Sequence, residues 1–112
     1  MSAGGFVAVL VIELHFPHAG SLKSKRKDLS SIKAQLHGRL GAAVAEVDHQ
    51  NAWQRSTLTA ALTGGSFATL SAAADKLERW LQARWPDGAR VERVVVSLED
   101  LRDVVPRFGV EE

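Results

Sequence analysis

The chain has no cysteine in its 112 residues. That absence excludes a disulfide framework, a thiolate metal site and a cysteine nucleophile, and makes a reducing, cytoplasmic compartment the simplest home. It also lacks a charge excess: 14 Lys and Arg stand against 13 Asp and Glu, a formal net charge of +1. No general field draws such a chain to nucleic acid or to an anionic membrane, so any such role has to rest on a local patch. Long hydrophobic runs are missing as well. The most apolar stretch, residues 6–16, is interrupted by Glu13 and His15. It is far shorter than a membrane span, and no basic segment precedes it as in a signal peptide, so no membrane partner is expected. Low-complexity segments and linker-like stretches are absent too.

What is there suits one globular domain over residues 1–112: 46% of the residues are hydrophobic and 24% charged, enough to enclose one core. In residues 6–16 Phe6, Ala8, Leu10, Ile12, Leu14 and Phe16 share one parity and Val7, Val9, Val11, Glu13 and His15 the other, the pattern of a central strand. After a turn at 17–20, Ser21 is placed to cap a helix with the stripe Leu22, Leu29, Ile32, Leu36 and Leu40, and Gly41 stands where a left-handed stop is needed. Strands are predicted over 42–48 and 55–63, joined by a loop at 49–54. Gly64 and Gly65 end the third segment, Ser66 offers a second cap, and Phe67, Leu70, Ala74, Leu77 and Leu81 form the next helical stripe. A fourth strand is predicted over 90–98, so the core covers about residues 6–98, followed by a polar tail at 99–112 with room for one short helical turn.

The order strand, helix, strand, strand, helix, strand predicts an α+β fold. With right-handed crossovers it is a ferredoxin-like βαββαβ sandwich: a four-stranded antiparallel sheet, first and third strands central, both helices on one face. Beyond this two-fold echo there is no internal repeat.

Two separated motifs narrow the reading. Ser21-Leu22-Lys23-Ser24-Lys25-Arg26 follows the apolar first strand, and Ala45-Glu46-Val47-Asp48-His49-Gln50 with Trp53-Gln54-Arg55 comes later. Over residues 6–98 the chain resembles the YlxP-like family of small bacterial proteins of unknown function. The resemblance implies a ferredoxin-like fold, a bacterial cytosolic origin and genes often near those for translation initiation and ribosome-binding factors. It implies no reaction, ligand or catalytic residue.

Lys23, Lys25, Arg26 and Lys27 crowd the start of the first helix with Asp28 the only nearby acid, although the helix dipole favours acids there by about 0.3–1 kcal/mol each. On a helical wheel Lys23 and Lys27 lie opposite the leucine stripe, Arg26 and Lys33 flank it, and Lys25 falls near it. An anion at this end would meet exposed N–H groups and lysines together, so Lys23, Lys25, Arg26, Lys27 and Lys33 are the candidate contacts for the phosphates of a structured RNA or a ribosomal particle. An ordinary solvated basic face with snorkelling stems is the bland alternative.

The loop 48–55 is polar around one large aromatic. It holds no serine or cysteine beside His49 and no donor pair for an oxyanion, so no catalytic residue is assigned and the chain is not expected to be an enzyme. His15, His18, His37 and His49 lack the spacing of a metal site, and no metal or other cofactor is expected. Gly64-Gly65 has neither the lysine nor the hydroxyl of a phosphate loop. Asp48 and Gln50 are placed to cap the hairpin and Trp53 to cover the end of the sheet; the functional alternative is that Trp53, Gln54 and Arg55 form a protein contact.

The open face of the sheet is expected to carry Val7, Val9, Val11, Glu13 and His15 beside Thr57, Thr59 and Thr63. Val91, Arg93 and Val95 are expected at one edge and Val44, Glu46 and Asp48 at the other. No aromatic lies among them, which disfavours base stacking on the sheet and leaves phosphates as the handle for RNA. A row of valines that includes Val9 and Val11 suits a two-fold homodimer, or the tail from Glu99 folding over it. Trp80 and Trp85 are read as packing at the rim of the core.

Overall fold

Alternation along the first apolar stretch produces the central strand. The computed structural model describes residues 4–86 and 88–104, and in it β1 (Phe6–His15) is buried at Ala8, Leu10, Ile12 and Leu14. It pairs antiparallel with β3 (Arg55–Gly64) on one side and β4 (Ala89–Ser97) on the other, while β2 (Ala43–Asp48) pairs antiparallel with β3. The sheet order is β2-β3-β1-β4. Two helices, α1 (Leu22–Leu40) and α2 (Phe67–Arg84), supply Leu29, Ile32, Leu36, Leu70, Leu77 and Leu81 to the core against that face. This is the expected ferredoxin-like α+β arrangement.

The helix ends follow the local chemistry of the sequence. The Ser21 hydroxyl accepts from Ser24 N at 3.1 Å and Ser66 accepts from Thr69 N at 3.1 Å, each satisfying a backbone donor that the first turn leaves free. Gly41 adopts φ 69°, and its N–H reaches the His37 carbonyl at 3.1 Å, a conformation that costs glycine nothing and a side chain much more. At the opposite end of the sheet, a Cβ on Gly88 would come within 3.1 Å of the His15 carbonyl; a residue without one lets the turn after α2 close onto β1.

Three expectations need correction. First, the register pairs Val91, Arg93 and Val95 of β4 with Ile12, Leu10 and Ala8, so these three face the helices and Arg90, Glu92, Val94 and Val96 lie on the open face. Either parity of β4 carries valines and a charge, so periodicity could not choose between them. Second, Val44 and Glu46 of β2 pair with Ala60 and Leu58 and also face the helices. A bulge between Glu46 and Asp48 inserts Val47, which flips the parity and returns Asp48 to the open face opposite Thr57. Third, Phe67 is not in the α2 stripe. It is 56% exposed and sits edge-on to Phe6, ring centroids 6.0 Å apart.

The start of the tail forms α3 (Leu98–Val104), joined to the sheet by the Leu98 N–H to Gly5 carbonyl bond of 2.9 Å. Val94 of β4 remains 61% exposed. The expectation that the tail from Glu99 to Glu112 covers the sheet falls for the most part on residues 105–112, outside the described residues.

Candidate functional site

Leu22, Lys25, Leu29, Ile32 and Leu36 recur at spacings of three and four, which puts a lysine on the buried stripe of α1. Lys25 is fully buried. Its ammonium donates to the His49 carbonyl at 2.7 Å and the Gln50 carbonyl at 3.3 Å, and lies 3.3 Å from Glu46 Oε2. Three protons thus have three acceptors, the condition for burying a lysine charge. The buried hydroxyl of Ser56 donates to the same Glu46 oxygen at 2.7 Å. Burial by itself raises the Glu46 pKa. The Ser56 hydrogen bond, the hydrogen bond and charge of Lys25, and the charge of Arg26 together outweigh it and hold the carboxyl below its ordinary value.

The reading of Lys25 as a phosphate contact is therefore corrected: a fully buried ammonium with its three acceptors filled has nothing left to offer a partner. It joins the two motifs instead, tying the start of α1 to β2 and to the loop beyond it. At that loop His49 adopts φ 61°, an uncommon conformation for a residue with a side chain. It is held by the carbonyl bond from Lys25 and by His49 Nδ1, which lies 3.0 Å from Thr57 Oγ1. The Thr57 hydroxyl donates to Glu13 Oε1 at 3.3 Å.

With Lys25 withdrawn, Lys23, Arg26 and Lys27 remain exposed and Lys33 half-buried. Arg26 donates to the Gln50 carbonyl at 3.4 Å. Among the described residues no carboxylate lies within ion-pair distance of Lys23, Lys27 or Lys33, and no acid occupies the first turn of α1. Placing both helices on one face adds what the sequence reading missed. Together α1 and α2 carry nine Lys and Arg against three acids (Asp28, Asp75, Glu78), a formal +6 on one layer of a chain whose total is +1. Arg93 of β4 draws off two of those acids, with its guanidinium 2.8 Å from Asp75 and 3.3 Å from Glu78. The signal in the sequence was the near absence of acid from α1, whereas the cations of α2 sit beside Asp75 and Glu78 in the chain and are left free only by the pairing with Arg93.

The proposed protein-contact residues do not form one patch. Trp53 is 55% exposed rather than folded over the end of the sheet. Gln54 is exposed and donates to the Pro17 carbonyl at 3.3 Å, and the exposed Arg55 lies 4.0 Å from Glu13. Val9 and Val11 are half-buried on the open face. Arg55 pairs with His15, four strand positions or about 13 Å beyond Val11.

Of the clefts that open beside the helices, two bear on the chemistry. One, of about 470 Å³, is lined by His15, His18, Ser24, Asp28, Arg84 and Trp85 among others. Ser24 has no hydrogen bond to either histidine among the described residues, so the nucleophile–base contact of covalent catalysis is not formed. The other, of about 400 Å³, runs between the helices and is lined by Arg39, Leu40, Lys76, Arg79 and Trp80. Among the described residues no three His, Asp or Glu are placed to hold a metal ion, and no helix is long and apolar enough to cross a membrane.

The fold and its charge define a small α+β sandwich with a cationic helical layer and a lysine-locked hairpin. A family model described as a protein of unknown function, DUF503, matches residues 7–101, and the chain belongs to that family. Among solved structures, the de novo designed protein Foldit4 superposes with a TM-score of 0.53 at 11% identity, over 82% of this chain and 96% of that one. That likeness is one of fold alone. A VAO-type flavoprotein from Myceliophthora thermophila C1 aligns over 85% of this chain but only 18% of its own length, at 17% identity and a TM-score of 0.48. No curated protein is a significant match.

Proposed function

We propose that the chain is a non-enzymatic binding module of the bacterial cytoplasm, a YlxP-like member of its family, whose helical layer holds the phosphates of a structured RNA or a ribosomal particle. The observation that carries this reading is the cation excess on α1 and α2, eight Lys and Arg against three acids once the buried Lys25 is set aside, with Asp75 and Glu78 turned away by Arg93 and no acid in the first turn of α1. Cations gathered at a helix start oppose the helix dipole and repel each other, and a polyanion relieves both. Lys23, Arg26, Lys27 and Lys33 are the contacts. The resemblance carried by the Ser21–Arg26 and Ala45–Gln50 segments, with its implied gene neighbourhood, supports an RNA target.

The test is binding of a structured RNA at increasing salt. Affinity falls log-linearly, and a Lys23→Glu, Lys27→Glu, Lys33→Glu variant binds about tenfold or more weakly with a shallower slope. Salt-independent binding, or a variant that binds as the parent does, removes the reading.

A second reading is favoured by the exposure of Val94 (61%), Val47 (50%) and Trp53 (55%): a protein-contact or homodimerising module using the open face and the Trp53 loop. Light scattering at micromolar concentration separates the two, since a strict monomer leaves that version without its dimer.

A further inference from the structure

The furrow between α1 and α2 joins cations from two helices to an indole. Arg39 comes from the last turn of α1 and Lys76, Arg79 and Trp80 from the middle of α2, lining about 400 Å³ with no carboxylate in the wall. Among the described residues none of the three cations lies within 4.0 Å of an acid, and Arg39 has only a 3.5 Å hydrogen bond to Gln35. Asp75 is four residues before Arg79, where it would neutralise that side chain on an isolated helix. Arg93 holds it toward β4 instead. The furrow is left positive because the acids of its own helix are engaged across the sheet edge.

Trp80 packs against the rim of the core as expected, and it also faces the furrow. It is half-buried, lines the furrow, and is held from its own helix by Arg84, whose guanidinium carbon lies 5.5 Å from the Trp80 ring and 5.3 Å from that of Trp85. The two indoles meet edge to face at 6.2 Å. A fixed aromatic surface beside three unneutralised cations fits one ligand chemistry: a phosphodiester chain with a base free to lie against an indole. A base inside a duplex is stacked and cannot reach such a surface, so the fit is to single-stranded nucleic acid.

We propose that the furrow binds a single-stranded RNA segment, phosphates on Arg39, Lys76 and Arg79 and a base against Trp80. It rests on the reading of the helical layer as an RNA-binding face and adds a second contact, about 24 Å along α1 from Lys23 at 1.5 Å per residue. One partner would then present a structured part to the start of α1 and an unpaired segment to the furrow.

The experiment titrates the full chain with an octamer of oligouridylate and with a duplex RNA of equal length, following tryptophan fluorescence and affinity from 50 to 300 mM salt. A Trp53→Phe, Trp85→Phe background makes the signal report Trp80. The octamer is expected to quench Trp80 and the duplex to leave it unchanged. Arg39→Glu, Lys76→Glu, Arg79→Glu should lower the salt slope for the octamer by about 2, the loss of three single-strand phosphate contacts. Trp80→Leu should weaken octamer binding about tenfold or more if the protein folds, and the surface charge variant carries the test if it does not. If the α1 variant weakens structured-RNA binding while the furrow variant changes neither octamer affinity, slope nor quenching, the furrow proposal falls and the helix-start reading stands. Equal quenching by the duplex overturns the single-strand assignment. Absence of binding by both RNAs at 50 mM salt overturns the furrow and the functional reading together.

Discussion

At the β2 edge a lysine of α1 reaches down to a glutamate of the sheet; at the β4 edge an arginine of the sheet reaches across to Asp75 and Glu78 of α2. Polarity is opposite and so is the environment. The Lys25 and Glu46 side chains are 0% and 9% exposed, whereas Arg93, Asp75 and Glu78 are 29%, 50% and 31% exposed. Removing one partner of a buried, hydrogen-bonded pair strands the other in a low dielectric and costs about 3–5 kcal/mol, while exposed pairs contribute about 0–1 kcal/mol. The β2 tie therefore belongs to folding and to the shape of the hairpin loop. The β4 tie does little for stability and instead decides where the helical layer stays positive.

Breaking the buried tie should have the largest effect. Lys25→Met keeps the stem and removes the charge, leaving Glu46 without its buried counter-charge and the His49 carbonyl without its donor. A loss of about 3 kcal/mol in denaturant unfolding is expected, and a loss below about 1 kcal/mol would show that the pair is not anchored as described. Ser56→Ala withdraws one hydrogen bond from the same carboxylate and should cost about 1–2 kcal/mol in the same assay.

Acid sharpens the contrast. Because the folded Glu46 pKa lies below its ordinary value of 4.5, its contribution is complete above that value and is lost as pH falls through the folded pKa. Unfolding free energy followed from pH 6 to pH 2 should show this as part of the acid decline, and Glu46→Gln should flatten that part. An unchanged decline in the variant would mean that other carboxylates account for all of it. At the other edge Arg93→Ala should change stability by under about 1 kcal/mol. Its visible effect is on binding: Asp75 and Glu78 are released beside Lys76 and Arg79, and octamer affinity should drop even though Arg93 lies outside the furrow.

The same contrast explains what was legible beforehand. The caps at Ser21, Ser66 and Gly41, the two leucine stripes and the strand order are local or periodic signals, and all reappear in the structure. Lys25 was misplaced because a charge on a buried stripe is permitted only by acceptors supplied from residues 46–50, far along the chain. The face of β4 was misassigned because valine and charge occur on both of its parities, and that of β2 because its acidic parity reads as solvent-facing; the choice falls to pairing with β1 and β3 and to the bulge at Val47. Arg39 and Trp80 were passed over as site residues because neither is unusual on its own helix.

Local side-chain chemistry and periodicity were enough to determine the elements, their order and the ferredoxin-like fold of this chain, since caps, stripes and alternation act within a few residues. Only the tertiary structure decided which cations are neutralised and which remain free. Charge compensation depends on distances of 2.8–3.3 Å between residues on different elements, as in Lys25–Glu46 and Arg93–Asp75, and no reading along one helix contains those distances.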